Sequence, residues 1–163
     1  MRRDNKKGFI IDTFYIGLML VFIAIVGIIG YKIMKETHQS MTEGGIMDEE
    51  YTDYVGNYEN AMPKMIDQIF IIALLGMSVV TLVSSFFVPS HPVLYFISVI
   101  ILGLLSWINA IFSNIYYEIA TTDALATEAT QFMIIPYVMQ YYPLIIIVIS
   151  ILIAVVMTAK GGD

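Results

Sequence analysis

Apolar positions along this chain gather into four long blocks instead of alternating in short runs. The first is Phe9–Met34, with no charged residue between Phe14 and Tyr31. A helix rises about 1.5 Å per residue, so such a block crosses a hydrocarbon core of roughly 30 Å. The second and third blocks, 66–88 and 93–112, are separated by a few residues that include Pro89 and Pro92. Proline stops one helix and suits the first turn of the next, so the pattern predicts a tight hairpin of two antiparallel neighbours. The fourth block, Phe132 to Met157, holds Pro136 and Pro143. The part after Pro143 is too short to span alone. The expected fourth span is therefore 136–158, starting near Pro136 or Tyr137, with a kink or ragged turn at Pro143. Tyr137, Tyr141 and Tyr142 would form an aromatic belt at that end.

Between the first two blocks lies a polar stretch, 35–65, broken at Gly44–Gly45. Beyond the glycines, Met47, Tyr51, Tyr54, Val55, Tyr58 and Met62 recur at helical spacing, and Asp48, Glu49 and Glu50 fall where acids favour a helix start. This predicts a short amphipathic helix over 47–61, ended by Pro63, with Tyr51, Tyr54 and Tyr58 as a stripe for a membrane interface or a partner. In the second polar stretch, 113–131, Thr122 is placed to cap a short helix over Asp123–Phe132. The fold class expected is all-α: an integral membrane protein with four transmembrane helices plus one or two short amphipathic helices, in a single membrane domain over 1–163.

Composition narrows the function. Of 163 residues, 58% are hydrophobic and only 13% charged, against roughly 25% charged in soluble domains. With a mean hydropathy of +0.79, this argues against a soluble enzyme, a disordered chain and a disulfide scaffold. The formal charge of −6 leaves no basic surface to neutralise phosphates, so nucleic acid is not an expected partner. Arg2, Arg3, Lys6 and Lys7 precede the first block and Lys160 follows the last, whereas Lys32, Lys35 and Lys64 sit among acids. The first block is too long for a cleaved signal peptide, which favours a retained signal-anchor. The positive-inside rule then puts both termini on the cytoplasmic side, with 35–65 and 113–131 together on the opposite side.

Candidate chemistry is sparse. The chain has no cysteine, and His38 and His91 lack metal-ligand spacing. The acids at 48–53 do not follow calcium-loop order, and no phosphate loop or catalytic constellation occurs. The expectation is no catalytic residue, no cofactor and no metal. The central turns of the four blocks carry no ionisable residue; Asp12, Asp67 and Glu118 lie near their ends. Asp67 is expected at the start of span two, where a carboxylate suits the helix dipole. Asn109 is the costliest neutral group, because an amide in lipid needs a partner across a helix–helix contact, either within the bundle or with another subunit. The candidate partner contacts are Arg2, Arg3, Lys6, Lys7, Tyr51, Tyr54, Tyr58 and Asn109.

From Ser90 to Lys160 the chain runs SHPVLYFISVIILGLLSWINAIFSNIYYEIA, then an acidic alanine–threonine loop, an aromatic–proline entry and a last aliphatic span. This stretch resembles small multi-pass membrane proteins encoded by phages and archaeal viruses whose particles hold a lipid membrane. The resemblance implies a structural or assembly role in a virion membrane, with lipid and other membrane or capsid subunits as partners. Arg2, Arg3, Lys6 and Lys7 would then be candidate shell contacts. The alternatives are a holin-like pore, a small channel or transporter, or an accessory subunit of a cellular membrane complex.

Overall fold

The computed structural model describes the backbone of residues 5–45, 48–87 and 92–160, and the side chains of most of residues 15–156. It is all-helical among the described residues. In chain order, α1 is Asn5–Glu43, α2 Glu49–Phe87, α3 Pro92–Ala120, α4 Ala126–Ala129, α5 Ile135–Gln140 and α6 Tyr142–Lys160. Within α1 and α2, the stretches Tyr15–Glu43 and Glu50–Phe86 are long and apolar enough to cross a membrane. Only 39% and 17% of their most apolar windows are buried inside the protein, so most of each window lies on its surface.

Several expected boundaries shift. The separate amphipathic helix over 47–61 does not exist as such: α2 runs unbroken through Pro63 into the second apolar block. Proline removes one rung of the ladder, leaving the Glu59 carbonyl without an N–H at position 63. Pro63 is nevertheless buried, and the α2 turns around it pack on α1. α1 likewise continues past Met34 to Glu43. Thr122 does not cap α4 with its side chain: its hydroxyl donates to the Ile119 carbonyl at 2.8 Å, and Leu125 stands at the N-cap. The fourth apolar block is broken at Tyr141, with Pro136 in the first turn of α5 and Pro143 in the first turn of α6. Proline is tolerated at just those places.

α1, α2, α3 and α6 pack as a bundle in which α1 touches α2 and α3, and α6 touches the same two helices. α2 and α3 therefore lie across the diagonal and are not the packing neighbours that the short link suggested. Five Cα steps reach at most about 18 Å, enough for the diagonal of a square with sides of about 9–10 Å. The register of α1 and α2 is antiparallel: Gly27 faces Ile66 and Gly56 faces His38. Leu20, Ala24 and Ile28 of α1, Phe70 of α2, Tyr116 of α3, Ile135 and Met139 of α5 and Tyr142 and Ile146 of α6 form one core. Tyr31 closes its upper end with an edge-on contact to Phe132, ring centroids 5.9 Å apart.

Candidate functional site

The most specific polar arrangement surrounds Asp67. It sits well inside α2, not at its start, and is only 3% exposed. Its carboxylate accepts backbone N–H bonds from Met133 (2.8 Å), Ile134 (3.0 Å) and Ile135 (3.0 Å). These donors are the open N–H groups at the start of α5, whose N-cap Ile134 has no side chain able to satisfy them. Sequence reading assigned Asp67 the right chemistry, an acid at a helix N-terminus, but the wrong helix. The helix it caps lies 66 to 68 positions further along the chain. The signal available was the isolation of one acid in an apolar block; the partner was not legible, because it is backbone.

Deeper in the bundle, Gly17 lets three helices meet. A Cβ on Gly17 would lie 2.3 Å from Asn109 Oδ1 and 3.0 Å from the Tyr142 hydroxyl. Asn109 is 1% exposed, and its Nδ2 donates to the Leu105 carbonyl at 2.7 Å. The choice left open for Asn109 is thereby decided. It faces the interior of this chain and is not free to meet another subunit, so it is withdrawn as a partner contact. The Leu105 carbonyl satisfies one side of the amide, but Oδ1 is buried with no hydrogen-bond partner among the described residues, so burial removes only part of the amide's cost. Ser113, one turn further along α3, ties α3 to α5 through a 2.6 Å bond to the Met139 carbonyl.

At one end of the bundle the two polar stretches come together. Lys35 of α1 meets Glu128 of α4 at 3.2 Å, and Lys32 donates to the Ala124 carbonyl. His38 Nδ1 lies 2.7 Å from Glu59 Oε2, joining α1 to α2. A carboxylate only accepts, so Nδ1 carries the proton in this bond. Burial pushes the Glu128 carboxyl up, but the Lys35 hydrogen bond, its own backbone N–H and the charge of Lys32 outweigh this and hold it below the ordinary carboxylate value.

The tyrosine stripe is displayed, not packed. Tyr51, Tyr54 and Tyr58 are 57%, 71% and 50% exposed, while Val55, Gly56 and Glu59 are partly covered. Arg2 and Arg3 lie outside the described residues; Lys6 and Lys7 belong to α1, but their side chains also lie outside them. Among the described residues, no three metal-ligating side chains converge. The chain matches no protein-family model, no curated protein and no solved structure.

Proposed function

We propose that the protein is a non-enzymatic structural subunit of a larger membrane assembly, held in the bilayer by four spans. In this reading α1 and α2 cross as single helices, α3 is the third span, and the broken pair α5–α6 is the fourth. The observation that carries the reading is the state of Asp67. A carrier needs a polar group free to bind and release its cargo at apolar depth. Asp67 is buried and occupied by three backbone N–H groups, so it fastens one helix to another.

The partner-facing surface in this reading is the part of α2 beyond the bilayer. There Tyr51, Tyr54 and Tyr58 stand exposed beside the exposed acids Glu50 and Asp53. Amphipathic aromatic rings are favoured anchors at interfaces. The resemblance of the Ser90–Lys160 stretch selects a virion membrane as the assembly, with both termini on the cytoplasmic side and membrane or capsid subunits as neighbours.

The test is extraction of the full chain in mild detergent from its native membrane or particle, followed by mass determination. The reading predicts a complex of fixed stoichiometry. Tyr51→Ala/Tyr54→Ala/Tyr58→Ala should release the partner while leaving the chain in the membrane. Recovery of the wild-type chain alone would refute the reading.

A further inference from the structure

A cleft of about 890 Å³ opens between the C-terminal half of α3 and the α4–α5 segment. This is within the roughly 300–1,000 Å³ of small-molecule sites. Its depth follows from two contacts. Gly17 of α1 lies against Asn109 and Tyr142, and Tyr31 of α1 lies against Phe132. The cleft residues on α3 and α5, from Ser113 to Thr121 and from Phe132 to Gln140, fall between those two levels. That part of the cleft lies beside the charge-free run of α1, at the depth of lipid tails, and the wall of Ala126, Ala129 and Thr130 carries it toward the Lys35–Glu128 pair, at the depth of ester groups.

Its lining suits an amphiphile. Phe132, Met133 and Pro136 supply apolar wall, while Asn114, Tyr117 and Gln140 are exposed groups able to donate and accept hydrogen bonds. Among the described residues the side chains of these three make no hydrogen bond to the rest of the chain. An amide at apolar depth with no partner is destabilising, so an occupant with ester or hydroxyl oxygens relieves it. No charged residue lines the cleft; Asp67 stands behind it on the Met133 amide, Glu118 and Asp123 are exposed acids, and the nearby cations are already paired, Lys35 with Glu128 and Lys32 with Glu36. That pattern disfavours an anionic headgroup.

We infer that the cleft holds one phospholipid of zero net charge, with its glycerol-ester region on Asn114, Tyr117 and Gln140 and an acyl chain along Phe132 and Pro136. The inference rests on the membrane reading above. The test offers the full chain, purified in mild detergent, equal amounts of phosphatidylcholine and phosphatidylglycerol, and counts retained lipid by native mass spectrometry.

One phosphatidylcholine per chain is expected for the wild type. Retention should fall at least fivefold in Asn114→Ala/Gln140→Ala, which removes the hydrogen bonds. It should fall equally in Thr121→Trp/Thr130→Trp, which fills the space from two exposed positions. Equal retention in wild type and variants, preference for phosphatidylglycerol, no retained lipid, or a protein seated in the cleft would each overturn the assignment. Alkaline extraction of membranes separates the two claims. A chain that pellets with membranes yet holds no lipid loses only the cleft assignment, whereas a chain released to the supernatant loses the membrane reading itself.

Discussion

Asp67 shows how much one buried carboxylate can determine. Hydrogen bonds to a charged group contribute about 1.5–3 kcal/mol each, and leaving their donors buried and unpaired adds a desolvation cost. Asp67→Ala strands three N–H groups at the start of α5 and should destabilise the protein by about 3 kcal/mol or more, read as a fall in thermal midpoint in detergent. Asp67→Asn, which keeps one acceptor oxygen, should lose distinctly less; equal losses would mean that the carboxylate bonds contribute little. Gly17 is the second residue with a sharp expectation. Its missing Cβ makes room for Asn109 Oδ1, so Gly17→Ala should cost about 1–3 kcal/mol. Asn109→Ala in the same chain should recover part of that cost, and strictly additive losses would show that the two side chains do not compete. The need of Asn109 for an interior place was legible in the sequence, and so was the helical spacing of Tyr51, Tyr54 and Tyr58. The bonds of Asp67 were not, because chain positions so far apart carry no mutual signal in a single sequence.

Among the helices, apolar block length was the reliable guide and proline the unreliable one. The four blocks do lie on helices, but Pro63 failed to end one, because packing against α1 supports the turns around it. Pro136 and Pro143 behaved as expected, since each falls in a first turn. A short link was read as packing adjacency, and the bundle instead set α2 diagonal to α3. The tie between α1 and α4 has a pH signature. Glu128 is held below its ordinary value, so its contribution is complete above the unfolded carboxyl range near about 4.3 and is lost as pH falls through the folded value. Thermal midpoints should therefore drop on acidification below about pH 4, and Glu128→Gln should remove part of that drop. An identical acid limb in the variant would assign the titration to other acids.

Taken whole, the molecule puts an acidic, tyrosine-bearing hairpin at one end and, through its middle, an apolar bundle whose buried acid, Asp67, is taken up by backbone N–H groups. Because the chain contains no cysteine, single-cysteine labelling reads its orientation cleanly. Ser40→Cys, exposed near the end of α1, should react with an impermeant maleimide from outside intact cells; protection there would reverse the proposed orientation. The central claim is that these helices serve as scaffold and not as conduit. It is met most directly by reconstituting the purified chain alone in liposomes and recording ion and proton flux. The account predicts no flux above that of protein-free vesicles. A current or solute flux that scales with the amount of protein would contradict it.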